Sequence, residues 1–249
     1  MLNKDLSMAL DPVLFSSECL GLQPDPWQAD VLRGGYQKLL INCSRQSGKS
    51  TVSAVFALHR SLYYPDYLVL LLSPSMRQSS ELFKKVTTLL NKLPLKPNLI
   101  EENRLSLQLV NGSRIISLPA AESTIRGYSG VDLIIEDEAA RVDDDLYRAL
   151  RPMLAVSGGS IILMSTPFGK RGHFFHEWEE GEGWKRVKIS ADECPRISKE
   201  FLDAERKSLG DLWFNQEFGC QFCETENNVF SQSLVTEAID NEIKPLSLL

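Results

Sequence analysis

The chain has 249 residues, 43% of them hydrophobic and 24% charged, a balance that supports a sizeable core and excludes wholesale disorder. Lys and Arg number 27 against 33 Asp and Glu, a net charge of −6, so nucleic acid can be met only by a local basic patch. The longest apolar run, Tyr67 to Leu72, is too short to cross a bilayer.

The N-terminus lacks the basic start and unbroken apolar stretch of a secretory signal. After Pro24 and Pro26, the pair Trp27-Gln28 either anchors a helix start or places an amide against adenine, whose edge offers both a donor and an acceptor. Lys38 to Asn42 is a short buried strand, followed by a polar loop and a helix from Lys49 to about Tyr64, ended near Pro65. Tyr67 to Leu72 is the second strand, and Ser73-Pro74-Ser75 opens a helix to about Lys92. Leu105, Leu107 and Leu109 alternate toward Asn111-Gly112, a hairpin signal, with a return through Ile115 to Leu118. Val131 to Ile135 and Ser160 to Met164 are buried strands, and Lys185 to Ile189 is the last. Residues 196–218 read as a helix with apolar Ile197, Phe201, Leu202, Leu209, Leu212, Trp213 and Phe218.

Strands alternating with helices predict a three-layer α/β fold on a mostly parallel sheet, with one inserted β-hairpin. Residues 1–190 form the core and 191–225 a small helical lid or linker, and 226–249 a C-terminal linker. Residues 191–249 hold 5 basic and 12 acidic residues, which marks either a separate unit or an acidic solvated face. The five cysteines read as reduced thiols. Cys220 and Cys223 have the spacing of a zinc half-site, but no second pair follows. His173 and His176 can share a helix face, and a plain surface role is the preferred reading for both.

The chemistry concentrates in Cys43-Ser44-Arg45-Gln46-Ser47-Gly48-Lys49-Ser50, between a predicted strand and a predicted helix. Phosphates need inward backbone N–H groups, a helix N-terminus, a Lys for the β/γ oxygens and a hydroxyl for Mg²⁺. This stretch supplies all four, with Thr51 beside them, although Cys43 stands where the usual motif begins with Gly. The apolar strand Leu133 to Ile135 runs into Glu136-Asp137-Glu138. At the C-terminal end of a parallel strand, Asp137 can hold Mg²⁺ while Glu138 polarises the attacking water. Ser165-Thr166-Pro167 ends the next strand, where hydroxyls can reach the γ-phosphate. Arg45 can act in cis, and Arg126, near Gly127 and Gly130, can act on a neighbour's nucleotide or pair at the surface with Glu122. Asp143, Asp144 and Asp145 are read as the cap of the helix that follows.

Taken together, Pro26-Trp27-Gln28, the phosphate loop, Arg126-Gly127, Ile134 to Ala139 and Ser165 to Gly169, continuing into Gly172 to Phe175, resemble the ATPase domain of the terminase large subunit of tailed phages and herpesviruses. The resemblance implies an additional-strand, RecA-like P-loop fold with the Ser-Thr-Pro strand between the phosphate-loop and acidic strands. It implies Mg²⁺-dependent ATP hydrolysis driving double-stranded DNA into a procapsid, in the cytoplasm of the infected host, with portal protein and small terminase subunit as partners. Gln28 becomes the adenine contact, Arg45 a phosphate sensor, Glu138 the catalytic carboxylate, Thr166 part of a coupling motif and Arg126 a trans-acting finger in a pentameric ring, the isolated chain being monomeric. The family's nuclease domain would begin near Val229-Phe230, and no nuclease activity is expected of these residues. A superfamily-2-like helicase or other RecA-type translocase is the enzymatic alternative, and a non-hydrolysing, nucleotide-responsive assembly module the other.

Overall fold

The computed structural model describes residues 2–121, 125, 127–224 and 238. Two helices, α1 (Leu2–Leu10) and α2 (Pro12–Leu20), open the chain. The sequence reading had no element there, because Asp11-Pro12 cuts the helical pattern into two pieces of 9 residues each. Asp11 caps α2 by accepting from the Val13 N–H at 2.9 Å, and Pro12 sits in the first turn, where a missing N–H costs nothing.

Helix α3 (Pro26–Arg33) precedes β1 (Lys38–Cys43), α4 (Lys49–Tyr63), β2 (Leu68–Ser73) and α5 (Met76–Leu90). Strands β3 (Leu99–Glu102), β4 (Ser106–Leu109) and β5 (Arg114–Pro119) follow, then β6 (Leu133–Asp137), α6 (Asp144–Leu150) and β7 (Ser160–Ser165). Helix α7 (Gly172–Glu179), β8 (Lys185–Ile189) and α8 (Lys199–Glu217) complete the described order. The eight strands make one sheet in the order β3-β4-β5-β2-β6-β7-β1-β8. Pairings from β5 through β8 are parallel, and β3-β4 and β4-β5 are antiparallel. The predicted hairpin is therefore β4-β5, and β3, too short and polar to be read from the sequence, adds one more strand at the edge. The Ser-Thr-Pro strand, β7, lies between β6 and β1 as the resemblance implied.

Strand alternation builds two cores. Leu39, Ile41, Val69, Leu71, Leu133 and Ile135 pack against α2, α4 and α5, whereas Leu40, Leu70, Ile134 and Leu163 pack on the other face with Leu146, Leu150 and Phe174. Strands buried on both faces read as continuous apolar runs, and these do. Among the described residues no helix is long and apolar enough to cross a membrane.

The C-terminal helix departs from its predicted form. It begins at Lys199 rather than 196, and Gly210 interrupts it with φ 77°, a left-handed angle that glycine adopts without steric cost. The apolar residues on either side of this break fall on two faces. Leu202, Phe214 and Phe218 form a small cluster with Ala191 and Ile197, while Phe201, Leu209, Leu212 and Trp213 are exposed. Cys220 and Cys223 bond to different carbonyls, those of Ile189 and Leu212.

Candidate nucleotide site

Parallel strands aim their C-terminal ends at one edge of the sheet, and β1, β6 and β7 bring three sequence motifs there. Cys43 is the last residue of β1, opposite Ile189 of β8. Its backbone is ordinary strand, so the position needs no glycine, and burial pushes the thiol up to about 11. The turn is made further on, at Gln46 (φ 61°) and Gly48 (φ 94°). A Cβ on Gly48 would stand 2.7 Å from Gln28 Nε2, so α3 roofs the loop closely. The loop then opens directly into the N-terminus of α4 at Lys49, where free N–H groups and the helix dipole favour anions.

Lys49 Nζ lies 2.6 Å from Glu138 Oε1. Burial works against the ammonium, but the attraction of Glu138 and of Asp137 outweighs it, and the Lys49 pKa stands above the ordinary lysine range. Asp137 ends β6, and Ser50 Oγ donates to its Oδ2 at 3.4 Å. Burial pushes the Asp137 carboxyl up, with Lys49 opposing the shift. Glu138 follows in a left-handed conformation, φ 57° and ψ 39°, which costs a non-glycine residue about 1–2 kcal/mol and brings its carboxylate back over the loop. A cleft of about 1060 Å³ opens here, lined by Arg45, Gln46, Gly48, Lys49, Ser50 and Thr51 on one side and by Glu138 and Arg141 on another.

Two residues in this cluster were not singled out from the sequence. Arg141 donates to Glu138 Oε2 at 2.9 Å, to Thr166 Oγ1 at 3.1 Å and to Glu217 Oε1 at 3.4 Å, and its guanidinium stacks on Phe168 at 4.7 Å. Glu217, near the end of α8, also accepts from Arg45 Nε at 2.5 Å. One carboxylate at the end of α8 thus holds an arginine of the phosphate loop and the arginine bonded to Glu138. The i,i+3 spacing of Glu138 and Arg141 was a usable signal. Glu217, far along the chain, offered none.

The remaining predicted site residues fall in different places. Thr166 is buried and meets the cleft through Arg141. Ser44 is buried, and its N–H is already given to Ile189 O at 2.9 Å, so it does not face the cleft as a phosphate contact. Gln28 is buried beside the loop, its Oε1 accepting from the Asp25 N–H at 2.9 Å and its Nε2 donating to Ser47 O at 3.4 Å. Arg126 lies outside the described residues. Lys85 lines the cleft with Gln78.

On the opposite face of β6, the surface reading of His173 is overturned. Glu136 is fully buried, and His173 Nε2 lies 3.1 Å from its Oε2. Nδ1 is 3.3 Å from Asp144 Oδ1, which also accepts the His173 backbone N–H at 2.6 Å. The ring stacks on Tyr147, centroids 4.6 Å apart. Burial opposes the imidazolium, yet the bonds to Glu136 and Asp144 leave its pKa raised. Asp144 therefore caps α7 rather than its own helix, because the chain between them folds back on β6.

A phosphate loop between β1 and α4, an acid pair at the end of β6 and the interposed β7 define a RecA-like P-loop protein. The chain belongs to the family described as terminase large subunit, T4likevirus-type, N-terminal, whose model matches residues 40–237. It is 27% identical over 253 residues to the terminase large subunit of Thermus phage G20c, covering 86% of this chain and 52% of that protein. The chain thus spans about half the length of the curated relatives it matches. Its fold is similar to a point mutant of the large terminase ATPase domain of Thermus phage P74-26, with TM-score 0.74, 22% identity and coverage of 83% of this chain and 97% of that one. It is also similar to the large terminase of a thermophilic bacteriophage in complex with ADP, with TM-score 0.66, 11% identity and coverage of 80% and 54%.

Proposed function

We propose that this chain is the ATP-hydrolysing part of a phage DNA-packaging motor, acting in the cytoplasm of the infected host. The observation that carries the reading is the 2.6 Å contact between Lys49 and Glu138. It joins the phosphate cradle to the acid pair within one cleft, which is what phosphoryl transfer to water requires. The ADP complex of the thermophilic phage's large terminase supports a nucleotide as occupant.

The chemistry follows from the residues. The α4 N-terminus and Lys49 receive the β- and γ-phosphates. Ser50 Oγ and Asp137 are a hard-oxygen pair of the kind Mg²⁺ takes while keeping waters and phosphate oxygens. When bound, the ion neutralises charge on the β/γ oxygens. A triphosphate competes with Glu138 for Lys49, and the released carboxylate polarises the attacking water. Arg141 restrains that carboxylate and relays its position to Thr166. Arg45, released from Glu217, reaches the phosphates in cis, and Arg126 completes the site of a neighbour in a ring, a pentamer by family resemblance, that forms around double-stranded DNA with portal protein and small terminase subunit. In this reading residues 1–190 are the ATPase core, 191–225 the lid and 226–249 a linker toward a nuclease domain.

The reading is tested by phosphate release at increasing protein concentration and with DNA and portal. Turnover per subunit should rise, and Arg126→Ala mixed with Glu138→Ala should regain activity that neither has alone. A monomer fully active without Arg126 contradicts the trans role.

A further inference from the structure

The first residues of the lid segment reach back across the phosphate loop at one point. Arg196 donates to both carboxylate oxygens of Asp25, at 2.9 and 2.7 Å, and its NH2 also donates to Ser47 O at 2.9 Å. Asp25 is the N-cap of α3, and its N–H is the donor that fixes Gln28 Oε1. Ser47 O is the acceptor that fixes Gln28 Nε2. Arg196 thus grips both groups that hold the Gln28 amide. Beside this junction lies a cavity of about 200 Å³ whose apolar walls include Leu22, Pro24, Val52 and Val55 and whose polar lining includes the carboxamides of Gln23 and Gln28, a shape suited to a flat heterocycle.

We propose that Arg196 is the positioning residue for base selection: by clamping Asp25 and Ser47 O it locks the order of donor and acceptor that Gln28 presents to a purine. This rests on the cleft being a nucleotide site. The second hydrogen on Nε2 and the second lone pair on Oε1 remain free for the ligand. In that fixed order they match adenine, which offers an acceptor at N7 and a donor at N6. Guanine offers acceptors at both N7 and O6 and places an oxygen against Oε1. Selectivity then depends on the amide being held, and the planar fork of an arginine meets the Asp25 carboxylate bidentately in a fixed geometry that a flexible ammonium does not reproduce.

The test compares affinities of the full chain for ATP, GTP and inorganic tripolyphosphate by titration calorimetry with Mg²⁺. Arg196→Ala should weaken ATP about tenfold, the scale of one or two hydrogen bonds, and leave GTP and tripolyphosphate within about twofold. Arg196→Lys should recover little of the loss, and Asp25→Asn, which keeps the helix cap, should reproduce it. A wild-type ATP-to-GTP preference that survives Arg196→Ala overturns the proposal. So does an equal loss for tripolyphosphate, which assigns Arg196 to the phosphate loop alone. Wild-type ATP affinity that is undetectable or survives Lys49→Ala overturns the nucleotide reading itself, and the proposal with it.

Discussion

Glu217 and Arg141 join the end of α8 to the C-terminal edge of the sheet, Oε1 to NH2 at 3.4 Å, while the other oxygen of the same carboxylate holds Arg45. In the proposed function, one buried acid therefore couples the position of α8 to the phosphate loop. Glu217→Gln keeps the shape and weakens both ion pairs. It should free Arg45 and raise ATP affinity severalfold while slowing hydrolysis, because Arg141 loses one of its two carboxylate anchors. Equilibrium binding and single-turnover phosphate release report the two effects separately, and unchanged values in both assays contradict the linkage.

Arg141→Ala should lower turnover by about tenfold or more with little change in ATP affinity, since a charged hydrogen bond is worth about 1.5–3 kcal/mol and this one orients Glu138 rather than the phosphates. An equal loss in kcat and in affinity would instead make Arg141 a ground-state phosphate ligand.

The His173–Glu136 pair predicts a pH dependence of stability. The folded-state pKa of His173 is raised above its ordinary 6.5. Its contribution is therefore full below that value and is lost as pH rises through the folded pKa. Thermal unfolding should show the wild type losing more stability between mildly acid and alkaline pH than His173→Gln does. His173→Ala leaves the buried Glu136 without its partner and should cost about 3–5 kcal/mol. Parallel pH profiles for wild type and His173→Gln contradict the pairing.

Asp137→Asn removes the carboxylate that, in the proposed function, shares the cation role with its hydrogen-bond partner Ser50. The Mg²⁺ concentration for half-maximal hydrolysis should rise at least tenfold, while ATP binding in EDTA is spared because Lys49 and the helix N-terminus remain. Unchanged metal dependence assigns the cation elsewhere.

The phosphate loop was legible because its letters fall between an apolar strand and a helix start, and Asp137-Glu138 because an apolar run ends abruptly in charge. The order β6-β7-β1 came with the family resemblance and is what the sheet shows. Glu217 escaped because its partners are set by where α8 docks, a tertiary fact, whereas Arg141 stands three residues from Glu138 and was within reach of the sequence. His173 was taken for a surface residue because its two carboxylates, Glu136 and Asp144, lie far away in sequence and meet it only when α7 folds onto β6. Helices α1 and α2 were missed for a local reason, the Asp11-Pro12 break.

The meeting of Lys49 and the acid pair over one triphosphate is tested most directly by phosphate release and ATP affinity measured together for wild type and Glu138→Gln. The expected result is hydrolysis reduced by at least about 100-fold with ATP affinity retained or tightened, because the amide no longer competes for Lys49. Hydrolysis that proceeds at the wild-type rate in Glu138→Gln would contradict it.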